Sequence, residues 1–250
     1  PNFLDFARIM DPDGKVSQVV EILNETNEIL EDMSWVEANG ITAHETTIRS
    51  GIPAPTWRKM YGGVQPNKGT TAQVTDNCGM LEAYAEVDKA LADLNGNTAA
   101  WRSLEDRAHI EGMNQEMAQT LFFGNEGTEP EAFTGLAPRY NSTTASNGEN
   151  IITGGAAGGQ TDLTSIWLVV WGEGTVHGII PKGSNAGLQV RDLGEATAEN
   201  IDGSNGRAQI YRTHYRWDAG LSVRDWRYVV RIPNIDKSTT LATAATGAVL

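Results

Sequence analysis

A chain of 250 residues with a formal charge of -13 and a pI near 4.7 lacks the basic footprint that phosphate contact needs, which excludes nucleic-acid binding as its main activity. Its 40% hydrophobic and 20% charged residues suit a folded chain with a substantial core, in one large domain or two modest ones. The single cysteine, Cys78, excludes an internal disulfide and a CxxC metal site, and the longest apolar run, Ile166 to Trp171, is too short to cross a bilayer.

The first residues, PNFLDFARIMDPDG, carry early acids and no apolar run of signal length, so no secretory leader is expected in them. Proline at position 1 suggests that an initiator methionine or a longer leader has gone. From Lys15 to Met33, Val16, Val19, Val20, Leu23 and Leu30, widened by Ile22, Ile29 and Met33, make a broad apolar side. Glu21, Glu25, Glu28, Glu31 and Asp32 make an acidic one. This spacing predicts an amphipathic helix ending near Asn39-Gly40. It packs on its own domain or lies as an arm on a neighbouring subunit.

Between Ile48 and Thr75 stand four basic residues, Arg49, Arg58, Lys59 and Lys68, and no acid. Pro53, Pro55, Gly62, Gly63, Pro66 and Gly69 break any helix there, while Glu45 to Ile48 and Thr70 to Thr75 read as extended strands. The pattern is a long two-stranded ribbon with Trp57, Met60 and Tyr61 at its tip, and a ribbon so poor in core residues has little independent stability. In a chain that is acidic elsewhere it can lean on the acidic surface of another copy, although a solvated hairpin accounts for the same residues.

Met80 to Leu94 alternates at Leu81, Ala83, Ala85 and Val87 and then turns helical, predicting a strand into a short helix, with Asn95-Gly96 as a turn. Residues 97–124 come next as the longest stretch without proline. They read as one helix, capped by Asn97 or Thr98 and ended by a left-handed Gly124. At 1.5 Å per residue it is roughly 40 Å long. Trp101, Leu104 and Ala108 share one face; Ile110, Met113, Met117 and Leu121 lie nearly opposite. The helix is therefore expected to be covered on one side early and on another side late.

Beyond Gly124 the text is loop-rich, anchored by Phe133, Leu136, Tyr140, Ile151 and Ile152. Four strands are expected after it: a buried one at Ile166 to Trp171, then Thr175 to Ile180, Ala208 to Trp217, and Asp225 to Ile232, with Trp226, Tyr228 and Val230 on one side of the last. The Ala- and Thr-rich text at Val249-Leu250 looks like the start of a helix, so the true C-terminus is expected further on.

No catalytic, cofactor-binding or metal site is expected. The histidines His44, His109, His177 and His214 lie in unrelated settings, and no Gly-x-Ser-x-Gly elbow exists. His44-Glu45 begins like a zinc-protease helix, but Ile48 stands where the second histidine is required. The glycine-rich 154–159 has no following Lys-Ser or Lys-Thr, which leaves a flexible loop. Glu105, Asp106 and Glu111 are interleaved with Arg102 and Arg107, as in solvated ion pairs along a helix. Asp192, Glu195, Glu199 and Asp202 are read as scattered over a loop. Trp167, Trp171, Trp217 and Trp226 are read as core or subunit-interface anchors.

This order of arm helix, basic ribbon, strand, long helix, Gly-rich segment and late strand resembles the major capsid proteins of tailed bacteriophages, of the Hong Kong 97 type, whose fold encapsulin shells share. The likeness is carried by TLFFGNEG, by WLVVWGEGTVHGIIPKGSNAGLQVRDLGE, and by YRTHYRWDAGLSVRDWRYVVRIPNID at Tyr211 to Asp236. The resemblance implies an α+β capsid fold: residues 1–40 an N-terminal arm, 41–80 an extended loop over a neighbouring subunit, 81–125 a peripheral domain with its spine helix, 126–221 an axial domain, and 222–250 a return to the peripheral domain. It implies a coat protein that self-assembles, as hexamers and pentamers, into an icosahedral head around double-stranded DNA, without sequence-specific DNA binding, catalysis or a membrane. Scaffold, portal and cement proteins are the further partners such shells can use. Lys68 lies where some relatives form a Lys to Asn crosslink, but none is predicted here.

On this reading Arg49, Arg58, Lys59 and Lys68, with Trp57, Met60 and Tyr61, make the intersubunit contact, and Trp101, Leu104, Ile110, Met113, Met117 and Leu121 pack the spine helix. The alternative is a secreted carbohydrate-binding β-rich module that stacks sugars on exposed tryptophans.

Overall fold

The computed structural model describes residues 29–93, 96, 98–153, 162–199 and 205–236. In chain order its elements are α1 (Ile29–Asp32), β1 (Trp35–Glu37), β2 (Ala43–Gly51), β3 (Thr70–Asp88), α2 (Lys89–Ala92), α3 (Thr98–Phe123), α4 (Leu136–Arg139), β4 (Leu163–Val169), β5 (Val176–Ile180), β6 (Gln189–Glu199), β7 (Arg207–Val223) and β8 (Val229–Asp236). They fall into two compact units. The first is built on Gly79–Thr120 and Asn185–Asp218, the second on Asp32–Cys78, Leu121–Ser184 and the chain from Ala219. This grouping differs from the linear division of the sequence, because residues 185–218 cluster with the long helix and not with 126–184.

In the first unit β6 and β7 form a long antiparallel hairpin, from Gln189↔Arg216 to Glu199↔Arg207. A bulge between Asp192 and Gly194 interrupts it, and Gly194 there has φ +69, which a residue with a Cβ adopts only under strain. The inner residues of β3 meet α3. Ala85, Met113 and Tyr215 form one buried cluster, with Leu81, Ala83, Leu188 and Trp217 against it. Val87, Ala92 and Trp101 form another, with Leu91 and Tyr211. Burying Met113 or Trp101 is worth roughly 1.5–3 kcal/mol each in area removed from water. The alternate residues of β3 carry charge to β7: Glu86 lies 2.7 Å from Arg212, and Glu82 lies 3.3 Å from His214. α2 starts where the Asp88 carboxylate accepts from Ala90 N–H at 2.8 Å.

In the second unit the strand order is β1-β5-β7-β3-β2. β1 runs parallel to β5 with Trp35 opposite Gly178, whereas β5 with β7 and β3 with β2 are antiparallel. Gly178 is dictated by that register: a Cβ there would stand 2.5 Å from the Trp35 ring. β4 and β8 form a separate two-stranded sheet. One face of it is packed, through Trp167 against Phe122, Tyr140 and the Arg231 guanidinium. Tyr140 O–H donates to the Trp226 carbonyl at 2.9 Å, and Arg231 donates to the Tyr140 carbonyl at 2.7 Å. Leu136, Tyr140, Val176, Ile179, Leu221, Val229 and Ile235 are among the fully buried side chains of this unit.

Several sequence expectations change. Of the helix expected over 15–33, the part inside the described residues is α1; the helix ends at Asp32, not near Asn39-Gly40, because Trp35 to Glu37 are drawn into a strand beside β5. The strands expected at 70–75 and 81–87 are one strand of 19 residues. Gly124 is buried but is not among the positive-φ glycines, and its carbonyl accepts from Gly135 N–H at 2.8 Å. The strand at Ile166 to Trp171 is not buried: it lies in a sheet of two strands covered on one face, so Leu168 is 59% exposed and Val170 is exposed too. Gln189–Glu199, expected as loop, is a strand. Ile152 is exposed whereas Phe133, Leu136, Tyr140 and Ile151 are buried. The glycine-rich 154–159, Asn97, Asp202 and the tail from 237 lie outside the described residues.

Candidate assembly surface

The Thr- and β-branched-rich flanks of the ribbon pair as β2 and β3, antiparallel from Ala43↔Asn77 to Gly51↔Thr70. Past Gly51 and before Thr70 the prolines and glycines end the ladder. Among the described residues only sparse hydrogen bonds hold the outer part of the ribbon: Ser50 Oγ to Thr70 Oγ1 at 3.1 Å, Asn67 Nδ2 donating to the Ala54 carbonyl at 2.5 Å, and Gly62 N–H donating to the Lys59 carbonyl at 3.0 Å. Tyr61 turns the tip in the left-handed region, at φ +61.

Trp57 and Tyr61 are fully exposed, and Ile52, Met60 and Val64 are exposed beside them. Arg49, Arg58, Lys59 and Lys68 are all exposed, and among the described residues none of the four is in a salt bridge. An apolar tip bracketed by such cations is chemically suited to an apolar surface rimmed by carboxylates. Of the seven tryptophans only Trp57 is exposed; the others are half-buried or buried, which leaves no row of open indoles for stacking sugars.

The root of the ribbon is built for the opposite purpose. Asp76 on β3 is buried; its Oδ1 pairs with Arg139 at 2.6 Å and its Oδ2 accepts from Ser222 Oγ at 2.8 Å. Arg139 also donates to the carbonyls of Thr134 and Leu221, each at 3.1 Å. A buried ion pair held this way, with Arg139 Nε left without a partner among the described residues, fixes register at little net gain in stability. Asn39 clamps the chain entering β2, donating to the Glu45 carbonyl at 2.7 Å and accepting from Glu45 N–H at 2.9 Å. Nothing in the sequence singles out this cluster, since its partners come from three distant segments.

Along α3, Trp101, Met113, Met117 and Leu121 are buried and Leu104 is half-buried. Ile110, expected to pack, is 39% exposed: it borders an open groove of about 400 Å³ lined also by Arg107, Val190 and Asp192. Ala108 is exposed as well. Three of the acids expected in a loop are strand residues with partners: Asp192 lies 2.6 Å from Arg102, Glu199 lies 3.0 Å from Arg207, and Glu195 pairs with Lys89. The hydrogen bond from Arg102 holds the Asp192 carboxyl below the usual carboxylate range, helped by Gly194 N–H. Arg102 thus pairs across to β6, not along its own helix. His44 and His177, unrelated in the sequence, meet in a T-shaped contact with ring centroids 5.8 Å apart. Among the described residues no helix is long and apolar enough to cross a membrane, and no three His, Cys, Asp or Glu side chains could hold a metal ion.

Comparison with known proteins gives one family. Residues 11–250 match the family model described as major capsid protein GP7. Among solved structures, the chain is similar to one in the near-atomic structure of bacteriophage Epsilon15, at 40% identity and a TM-score of 0.74, covering 99% of this chain and 73% of that one. It is also similar to a chain of Microbacterium phage Oxtober96, at 10% identity and TM-score 0.56, over 94% of this chain and 99% of that one. A third likeness is to the SrpI encapsulin complex of Synechococcus elongatus PCC 7942, at 10% identity and TM-score 0.53, over 93% and 95%. The last two show the fold alone. No curated protein matches the chain.

Proposed function

Because this chain belongs to the major capsid protein GP7 family, a coat protein of the icosahedral head of tailed bacteriophages with the Hong Kong 97-type α+β fold, we propose that its exposed ribbon is the part with which one copy grips the next. The observation that carries the proposal is the tip: Trp57, Met60 and Tyr61 lie open to solvent, next to cations that form no salt bridge among the described residues, in a chain of net charge -13. Burying three such side chains against a neighbour is worth several kcal/mol, of the order of 1.5–3 each.

The remaining assignments rest on the same family. Residues 1–40 serve as the N-terminal arm and 41–80 as the extended loop, with α3 the spine of a peripheral domain. The packing of Met113 on Tyr215 supports placing 185–218 with that spine, which narrows the axial segment to 126–184, and the chain from about 222 returns to the periphery. Copies associate as hexamers and pentamers, with scaffold, portal and cement proteins as further partners. The subunit works without catalysis. It encloses DNA without reading its sequence, because an acidic wall repels the phosphates it surrounds.

Reversing Arg49, Arg58, Lys59 and Lys68 to glutamate tests the ribbon. Shells should vanish from negative-stain fields while the unfolding midpoint of the subunit stays within experimental scatter. Normal shells from that variant would overturn the ribbon assignment and leave the family untouched.

A further inference from the structure

A row of polar side chains crosses four neighbouring strands of the second unit. His177 on β5 is level with Ser222 on β7, Ser222 Oγ donates to Asp76 Oδ2 on β3, and Asp76 is level with His44 on β2. The row closes on itself, since the His44 ring stands edge-on to the His177 ring at 86°. Three of its members have partners. Asp76 has Arg139 and Ser222, Ser222 has Asp76, and His44 Nδ1 accepts from Asn39 N–H at 3.3 Å.

His177 is the exception. It is 1% exposed, and among the described residues no hydrogen bond of ordinary geometry reaches either ring nitrogen; the Gly172 backbone beside it favours the protonated ring less than burial disfavours it. A buried polar ring left this way costs its full desolvation, and folded proteins seldom keep one without a use. Three charged or titratable groups face it: His44 from β2, Arg224 from the turn after β7, and Asp76 from β3. Asp76 is already neutralised by Arg139. A proton arriving at His177 therefore meets a second imidazole and a guanidinium, with no free carboxylate to receive it.

We propose that His177 and His44 form an acid-operated latch at the root of the ribbon: with the His177 ring neutral β2 is held closed over it, and protonation of His177 drives His44 off and loosens β2. The latch belongs to the isolated chain and does not depend on what the ribbon grips. Its sign is set by the surroundings. Burial above all, then His44 and Arg224, push the His177 ring below the ordinary histidine value, and the nearby Gly172 backbone and Asp76 only partly oppose them. A group lowered in the folded state contributes stability that is complete above about pH 6.5 and is lost as pH falls from there toward the lowered value. One proton of difference changes the folded-to-unfolded ratio by up to about tenfold per pH unit.

The test is urea unfolding of the isolated subunit between about pH 7.5 and pH 5, the span around the ordinary histidine value, for the parent chain and for His177→Phe. The parent should lose stability steeply below about pH 6.5, and His177→Phe should lose most of that slope. An unchanged slope in a folded His177→Phe overturns the latch. Should that variant not fold, the parent decides: by NMR, the His177 ring should stay neutral well below the ordinary value, and the amides of 43–51 should lose hydrogen-exchange protection as it titrates while those of 229–236 keep theirs. A ring titrating near the ordinary value, or protection falling equally in both strands, overturns the proposal.

Discussion

Arg139 Nη1 lies 2.6 Å from Asp76 Oδ1, and the carboxylate it meets is 1% exposed. The two partners are not equally replaceable. Arg139 keeps partial access to water, whereas Asp76 has none. Arg139→Met leaves a buried carboxylate with Ser222 as its remaining donor and should cost about 3–5 kcal/mol. Asp76→Asn keeps an acceptor for Ser222 and should cost less. Urea unfolding of both variants checks the order; equal losses would mean that water reaches the carboxylate.

Gly178→Ala should destabilise the chain by about 1–3 kcal/mol, because the new methyl would occupy the face of the Trp35 ring. The companion change Trp35→Ala opens that space, so the double variant should be less than additive. Thermal melts of the two singles and the double measure the coupling, and strict additivity would place the ring elsewhere.

Met113 and Ile110 stand one turn apart on α3 and should answer truncation differently. Met113→Ala removes a side chain packed between Ala85 and Tyr215 and should cost about 2–5 kcal/mol. Ile110→Ala, at a half-open position, should stay within about 0.5 kcal/mol. Denaturant midpoints decide, and similar losses would mean that the groove beside Ile110 is closed in solution.

Arg102→Met should raise the titration midpoint of Asp192, because the Arg102 hydrogen bond is the largest cause of its lowering. Part of the lowering should persist, since Gly194 N–H still donates to the carboxylate at 2.8 Å. The parent pair adds stability above the ordinary aspartate value and loses it as pH falls through the lowered one. A carboxyl-carbon titration by NMR reads the shift directly, and an unmoved midpoint would contradict the contact.

The sequence is most legible where one period governs a long stretch. Residues 97–124 mark the helix to within a residue at each end, and the alternation at Leu81, Ala83, Ala85 and Val87 marks the inner face of β3. It is least legible where exposure depends on what covers a residue. Ile110 and Leu168 carry the same apolar chemistry as Met113 and Val229, and only the neighbouring elements separate them. Gln189–Glu199 hides as a strand because its acids break the apolar alternation, and their partners, Arg102, Lys89 and Arg207, come from elsewhere in the chain. The ribbon is legible as a gap, an acid-free run full of prolines; the clamp at its root, joining residues 76, 139 and 222, is not.

The chain passes from one compact unit to the other five times, at 31–32 in α1, at 78–79 within β3, at 120–121 within α3, at 184–185 ahead of β6 and at 218–219 within β7. No single cut frees either half, and any excision severs a strand or a helix in mid-run. Proteolytic nicking at an exposed turn should therefore leave both halves tethered, and fragments cut within β3, α3 and β7 should fail to fold by themselves.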